Sequence, residues 1–199
     1  MKGVAVEPDE VRSLVRAAAG GDGAAWKAIV ERFSGLVWAI IRGYRLDAAD
    51  AADVFQTTWL RLAEHLDRIA NPERVGAWLA TTARRESLRI ARASSRTVSA
   101  DEAAMVGAGY IDHHSPEQAV LDAEQAMLDS ERARQLWRAF GALSARCQQL
   151  LRVLMATPPP SYAEVAAALD MPVGSIGPSR ARCLDSLRQM LTDNVSAPL

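Results

Sequence analysis

Two short helices joined by a tight turn are predicted over residues 161–191, and the second helix carries side chains suited to reading DNA. Ser175, Pro178, Ser179 and Arg182 fall opposite an apolar stripe when successive residues are placed about 100° apart. Hydroxyl and guanidinium groups on one helix face can hydrogen-bond to base edges and phosphates in the major groove. The pattern is typical of a helix-turn-helix, although an ordinary helical hairpin with a solvated Arg face has the same pattern.

A predicted helix over residues 73–93 carries a second polar stripe that is rich in arginine. Thr81, Arg84, Arg85 and Arg92 lie on one side of this helix, opposite its apolar residues. Several guanidinium groups on one side of a helix suit contacts with a phosphate backbone. The stripe therefore predicts another nucleic-acid surface, earlier in the chain.

A third polar face lies on a predicted helix over residues 48–68. It is formed by Asp53, Gln56, Leu60 and Glu64, opposite the apolar stripe of the same helix. One exposed Leu alone would mean little, since apolar residues are common on protein surfaces. A Leu framed by carboxylates and an amide is typical of a helix that docks on a protein partner.

The elements that position these residues are predicted to be helical almost throughout the chain. Apolar residues recur at spacings of three and four over residues 24–42 and 48–68, and strand-type alternation is not seen. Three prolines end a later helix at residues 158–160, and Ser161 with Glu164 predicts a capping box. The predicted fold is all-α, with two small helical domains at residues 10–95 and 126–192.

The connection between these domains, residues 96–125, is predicted to be a flexible acidic linker. Its central part carries six Asp and Glu residues and no Lys or Arg, and it shows no helical periodicity. The whole chain has 23 basic and 24 acidic residues and a net charge of −1. The acidic linker therefore masks basic surfaces on both sides of it, and the net charge does not exclude a nucleic-acid partner.

Metal and cofactor sites are not predicted. Cys147 and Cys183 lie far apart and fit no metal-ligand spacing, so two reduced core thiols are expected. His113 and His114 lie in the acidic linker without a Cys partner, which does not favour a metal site.

An enzymatic function is not predicted either. The sequence contains no phosphate-binding Gly loop, no nucleophile elbow and no convincing pair of catalytic carboxylates. The N-terminal residues lack a secretory apolar core, and no apolar run approaches the roughly 18 residues of a membrane span. These features predict a cytoplasmic protein that does not insert into a membrane.

The five tryptophans divide into two predicted roles. Trp26, Trp38, Trp59 and Trp137 lie on apolar stripes, which predicts packing in a core. Trp78 lies beside the loop before the Arg-rich helix, where an aromatic ring could stack on a base.

Two segments resemble a known family. Residues 50–86, DAADVFQTTWLRLAEHLDRIANPERVGAWLATTARRE, resemble region 2 of extracytoplasmic-function (group 4) sigma-70-family factors. Residues 132–154 and 161–188, RARQLWRAFGALSARCQQLLRVL and SYAEVAAALDMPVGSIGPSRARCLDSLR, resemble region 4 of the same factors. The order of the segments and the acidic linker agree with this group, and the resemblance covers most of the chain.

The resemblance implies an alternative sigma factor that binds core RNA polymerase and directs promoter recognition and transcription initiation. It implies that the β′ clamp helices dock on region 2 and that the β flap docks on the first helix of region 4. An anti-sigma factor is a further partner common in this family. The clamp-binding residues implied are Asp53, Gln56, Thr57, Leu60 and Glu64.

The resemblance also assigns DNA contacts to both domains. Region 2 would hold an unpaired, flipped base of the minus-10 element, which couples recognition to melting. Region 4 would read the minus-35 duplex in the major groove. The minus-10 residues implied are Asp67, Asn71, Arg74, Trp78, Thr81, Arg84, Arg85 and Arg92, and the minus-35 residues are Ser175, Pro178, Ser179, Arg180 and Arg182.

The alternative interpretation is a stand-alone helix-turn-helix regulator. Proteins of that class bind duplex DNA without polymerase, usually as dimers on a palindrome. Binding to DNA in the absence of polymerase separates the two interpretations.

Overall fold

The computed structural model describes residues 8–94 and 131–195, in which all regular structure is helical and no strand occurs. The predicted all-α fold is therefore confirmed, whereas the predicted linker and its two histidines lie outside the described residues. The division into two domains stays a prediction. The helices are α1 (Pro8–Ala19), α2 (Gly23–Ile41), α3 (Ala48–His65), α4 (Val75–Ser94), α5 (described over residues 131–142), α6 (Ala145–Leu154), α7 (Tyr162–Leu169) and α8 (Ile176–Val195).

The first helix group, residues 8–94, packs α1 to α4 around an apolar core. Its fully buried side chains include Ile29 and Val37 of α2, Leu62 of α3 and Leu79 of α4. Asp22 and Asp47 cap the N-termini of α2 and α3, because each carboxylate accepts hydrogen bonds from first-turn amides at about 2.8 Å. The apolar stripes predicted from the sequence thus become the core, and the caps set where α2 and α3 begin.

A buried carboxylate ties α3 to α4. Glu86 is only 6% exposed, and its two oxygens lie 2.9 Å from Nη2 of Arg61 and 2.8 Å from Nε of Arg89. A buried carboxylate is tolerated when charged donors satisfy its oxygens. This arrangement explains why one acid stands among the arginines of α4.

The second helix group, residues 131–195, is a small bundle that contains the helix-turn-helix. The buried side chain of Gln148 donates to the carbonyl oxygens of Gly141 and Leu143 at 2.9 and 2.8 Å, which satisfies the end of α5. The predicted capping box is confirmed, because Ser161 and Glu164 each accept a hydrogen bond from the backbone amide of the other. Asp170 ends α7 with a positive φ of 53°.

The cysteines differ from the prediction. Cys147 of α6 and Cys183 of α8 are joined by a disulfide with a Cα–Cα distance of 5.4 Å, so the expected pair of reduced thiols is wrong. The helix-turn-helix folds α8 back against α6, and spacing along the sequence does not reveal this approach. Trp137 is a second difference: it is 64% exposed on α5 and makes an edge-on contact with Phe140.

The other three tryptophans predicted to pack do so in the first helix group. Trp59 is buried and makes edge-on contacts with Trp26 and Phe55, and Trp38 stacks on Phe55 with ring centroids 4.6 Å apart. None of the helices in the described part of the chain is both long and apolar enough to cross a membrane.

Candidate nucleic-acid interface

A shallow groove of about 450 Å³ lies where α3 ends and α4 begins, and residues of the intervening turns contribute to its lining. This α3–α4 groove is large enough for a small planar ligand such as one base. It is formed by residues from three consecutive elements, so its shape depends on how α3 and α4 pack. Its lining residues are His65, Arg68, Ile69, Ala70, Asn71, Arg74, Ala77, Trp78, Thr81, Thr82 and Arg85.

The groove offers an aromatic surface together with hydrogen-bonding groups. The rings of His65 and Trp78 lie 6.2 Å apart at a tilted angle, and Trp78 is half-buried. Thr81 donates its hydroxyl proton to the Ala77 carbonyl oxygen at 2.9 Å, so the hydroxyl oxygen faces the groove as an acceptor. Asn71 is exposed in the connection and carries an amide that both donates and accepts. These groups can stack a base and bind its edge.

Arginine side chains extend the basic surface beyond the groove along α4. Arg85 lines both the groove and an adjoining concavity formed with Leu88, Arg89, Arg92 and Ala93. Guanidinium groups in a row of this kind can follow the phosphates of a single strand. The groove and its extension therefore form one continuous cationic surface.

The structure brings together five of the eight predicted minus-10 residues, namely Asn71, Arg74, Trp78, Thr81 and Arg85. Asp67 is exposed at the start of the connection, and Arg92 lies in the adjoining concavity. Arg84 lies elsewhere: its Nη1 is 3.3 Å from Oδ2 of Asp170 in the second helix group. Neighbouring helix residues point about 100° apart, so Arg84 and Arg85 occupy different faces.

The predicted set lacked six of the residues that line the groove. Three of these are polar, His65, Arg68 and Thr82, and three are apolar, Ile69, Ala70 and Ala77. His65 and Arg68 come from the end of α3 and the 3-10 turn Leu66–Arg68, on the other side of the connection from α4. The available signal was the position of His65 and Arg68 at the start of the same connection that contains Asn71.

The predicted docking residues form an exposed face on α3. Asp53, Gln56, Leu60 and Glu64 are exposed, and Leu60 is 60% exposed, while Thr57 is half-buried beside them. Their spacing of three, four and four residues places them on one side of the helix. We call these four exposed residues the docking face.

The predicted minus-35 residues lie at the start of α8 and in the turn before it. Pro178, Arg180 and Arg182 are exposed, and Nη2 of Arg182 lies 3.3 Å from Oγ of Ser179. Ser175 is half-buried and donates its hydroxyl to the Pro172 carbonyl oxygen at 2.8 Å. Pro178 is tolerated because first-turn amides have no intrahelical acceptor. The exposed part is thus a short row of polar groups on one helix.

Within the described ranges, no three His, Cys, Asp or Glu side chains are grouped so that they could hold a metal ion.

Residues 29–97 match the family model of sigma-70 region 2. The fold resembles CnrH in its complex with the cytosolic domain of CnrY, with a TM-score of 0.56, 21% identity, and coverage of 94% of this chain and 99% of that one. It also resembles the sigma factor RpoE in complex with the anti-sigma factor NepR from Bartonella quintana, with a TM-score of 0.54, 19% identity, and coverage of 83% and 96%. No curated protein matches the sequence.

The segment that contains the groove and the docking face therefore matches sigma-70 region 2. This match agrees, over residues 29–97, with the resemblance to region 2 recognised in the sequence.

Proposed function

We propose that this chain is an alternative sigma factor of the extracytoplasmic-function group, which binds core RNA polymerase and directs promoter recognition and transcription initiation. It acts in the cytoplasm and leaves the chemistry of RNA synthesis to the polymerase. The observation that carries the proposal is the α3–α4 groove, where Trp78, Asn71 and Arg85 line one cavity within the sigma-70 region 2 segment.

The groove supports a role in holding an unpaired base of the minus-10 element. A base can enter such a cavity only after it leaves the duplex stack, so binding there favours the melted state. Stacking of a base on an aromatic side chain contributes about 1–3 kcal/mol, and Arg74 and Arg85 can bind the flanking phosphates. Recognition and melting are then one event.

Two exposed surfaces support contact with polymerase. The docking face on α3 presents Leu60 between polar side chains, which suits the β′ clamp helices. On α5, Leu136 and Trp137 are 44% and 64% exposed and offer an apolar surface for the β flap. An anti-sigma factor is a further proposed partner, as the two similar structures described above each contain a partner protein.

The exposed row at the start of α8 supports reading of the minus-35 duplex. Arg182 carries a guanidinium, which can bind a guanine edge with two donors. Arg180, Pro178 and Ser179 would contact the same groove, and Ser175 would lie at its edge.

Transcription in vitro with purified core polymerase tests the proposal. The chain should direct initiation at defined promoter positions, and sequencing of the RNA 5′ ends should reveal shared minus-10 and minus-35 elements upstream. Without polymerase it should bind duplex promoter DNA only weakly. Tight, salt-sensitive binding to a palindrome by the chain alone, without initiation, would instead support the stand-alone helix-turn-helix regulator.

A double substitution on the docking face separates polymerase binding from DNA preference. Gln56→Ala with Leu60→Ala should weaken capture by core polymerase about tenfold or more, because the variant loses an apolar anchor and an oriented amide. Lys27→Ala with Glu31→Ala is the matched control, since this exposed pair lies on α2. Equal affinity of both variants for core polymerase would contradict the docking assignment.

A further inference from the structure

The Cys147–Cys183 disulfide lies on the reverse side of the helix that carries the candidate minus-35 residues. Cys183 follows Arg182 directly in α8, and successive helix residues point about 100° apart. Arg182 is exposed, whereas Cys183 is only 5% exposed. One residue therefore presents its guanidinium to solvent, and the next residue fixes the same helical turn to α6.

Few other side chains hold α8 in place. Among residues 176–192, the part of α8 whose side chains the structure describes, only Ile176 and Cys183 are buried. Leu184 and Leu187 pack against the core but stay half-buried. Ile176 is the first residue of α8, so Cys183 is the buried attachment along the rest of this described stretch. The position of the candidate minus-35 face therefore depends on the disulfide.

The other end of the disulfide lies in the first turn of α6. Cys147 is the third residue of α6, and its backbone amide donates to Oγ of the N-cap residue Ser144 at 3.3 Å. Gln148, the next residue, is buried and donates to two carbonyl oxygens at the end of α5. This turn of α6 thus has attachments that are independent of the disulfide. Opening the disulfide releases α8 more than it releases α6.

The two cysteines differ in their access to a reductant. Cys147 is half-buried, whereas Cys183 is buried. A thiolate attacks the disulfide sulfur that it can reach, so exchange begins at Cys147. In the cytoplasm, where the proposed function places this chain, thiol reductants keep most cysteines reduced, and disulfides that form there are usually transient and redox-sensing. That compartment favours a link that opens and closes.

We propose that the Cys147–Cys183 pair is a redox switch of minus-35 recognition, an inference that rests on the proposed function. The disulfide form holds α8 in the position that reads duplex DNA, and the dithiol form releases it. The α3–α4 groove and the docking face belong to the first helix group, which this disulfide does not join. Reduction therefore weakens recognition of one promoter element and leaves polymerase capture through the docking face unchanged.

The reductant that operates the switch is a dithiol. Its thiolate attacks Sγ of Cys147, which forms a mixed disulfide and breaks the bond to Sγ of Cys183. The electron pair of that bond leaves on Cys183 as a thiolate, which takes up the proton lost by the attacking thiol. The second thiol of the reductant then displaces Cys147 as a thiol. The chain gains two electrons and two protons, and the reductant becomes a disulfide.

Competition binding with the holoenzyme tests the switch. The full chain bound to core polymerase is compared before and after treatment with dithiothreitol, and mass spectrometry after thiol alkylation counts its free cysteines. Reduction should weaken affinity for a short minus-35 duplex about tenfold, which is the result when a tenth of the molecules keep α8 in place. Affinity for core polymerase should not change. Replacing the reductant with oxidised glutathione, which takes up the two electrons and becomes two thiols, should restore the duplex affinity.

The double variant Cys147→Ser with Cys183→Ser controls for effects of the reagents on polymerase itself. It should bind the duplex as weakly as the reduced chain and should respond neither to dithiothreitol nor to oxidised glutathione. A folding defect in the variant leaves the test intact, because the unsubstituted chain is compared with itself across a reversible treatment.

Unchanged duplex affinity in a chain whose two cysteines are free would overturn the switch. A disulfide that dithiothreitol does not open would overturn it as well. So would a loss of affinity that persists after the disulfide has re-formed, since the disulfide would then be a structural link only. None of these results refutes the proposed function, which fails if the oxidised holoenzyme does not start transcription at a promoter.

Discussion

The two helix groups hold their candidate DNA-binding residues in different ways. In the first group the α3–α4 groove draws its lining from the end of one helix, a connection and the start of the next, so it exists only when the core is formed. In the second group Pro178, Arg180 and Arg182 lie within two turns of one helix. A concave site requires tertiary packing, whereas a row on a helix requires only the correct helical phase and a stable helix.

The means of stabilisation differ as well. The first group has the larger apolar core and the Glu86 ion pairs, whereas the second is small and joined by the Cys147–Cys183 disulfide. Small helical units bury little apolar area and often need a covalent link. The comparison predicts that chemical reduction affects the two groups unequally.

Reduction of the disulfide should have the largest effect. The link closes a loop of 36 residues, which corresponds to about 4 kcal/mol of stability in the chain-entropy description. Hydrogen exchange measured by mass spectrometry should show faster exchange in α6 and α8 after addition of a reductant, with α2 and α3 unchanged. The double variant Cys147→Ser with Cys183→Ser is the control and should not respond to reductant. Equal exchange with and without reductant in the unsubstituted chain would contradict the prediction.

Single arginine substitutions should have smaller effects, and each should affect only one of the two candidate DNA sites. Arg85→Ala should weaken promoter opening by about 1–3 kcal/mol while leaving affinity for a minus-35 duplex unchanged, because Arg85 lines the groove. Arg182→Ala should instead weaken affinity for a minus-35 duplex and leave promoter opening unchanged, since Arg182 is exposed on α8. Permanganate footprinting of the holoenzyme measures opening, and a short duplex competitor measures minus-35 affinity.

Arg84→Ala is the control for these substitutions within the holoenzyme. Arg84 is adjacent to Arg85 but is paired with Asp170, which is largely exposed, so the lost ion pair is worth about 0.2–1 kcal/mol. Promoter opening should therefore change little. An effect of Arg84→Ala as large as that of Arg85→Ala would show that both arginines contact DNA and that the face assignment is wrong.

The smallest expected effect is a change in the titration of Tyr44. Burial raises the pKa of this phenol above its ordinary value of 10.0, and Asp170 adds to the increase, while Arg84 and a hydrogen bond from Gln149 oppose it. Folding favours the protonated phenol, so this contribution to stability is complete below pH 10 and is lost as pH rises through the folded pKa.

An ultraviolet titration of phenolate formation measures the Tyr44 effect. The late-ionising phenol of the unsubstituted chain should be absent from Tyr44→Phe. Its pKa should move toward the ordinary value in Gly35→Ala, because a Cβ on Gly35 would overlap the Thr157 carbonyl oxygen and displace the second helix group. A late titration that Gly35→Ala leaves unchanged would show that the first helix group alone buries Tyr44.

Local features of the fold were predictable from the sequence. The capping box at Ser161 and Glu164 depends on residues three positions apart, and the helix predicted over residues 24–42 differs from α2 by one residue at each end. Features that depend on long-range packing were not predictable from the sequence. Nothing in the spacing of Cys147 and Cys183 shows that α8 returns to α6, and an apolar stripe did not reveal that Trp137 remains exposed.

Prediction of the candidate site from the sequence has the same limit. Asn71, Arg74 and Trp78 were predictable because they surround one loop, but the opposite surroundings of Arg84 and Arg85 depend on a contact with a helix more than seventy residues later. Helical phase predicts that two neighbouring residues diverge. It does not predict which of them meets another part of the chain.

The Glu86 ion pairs have a mechanical consequence. Arg61 follows Leu60 of the docking face directly in α3, and Glu86 follows Arg85 of the groove directly in α4. If polymerase docks on α3 as proposed, a rotation of α3 would be transmitted through the Arg61–Glu86 ion pair to α4, which lines the groove. Polymerase bound to the docking face would then change the width of the groove without contacting the groove itself.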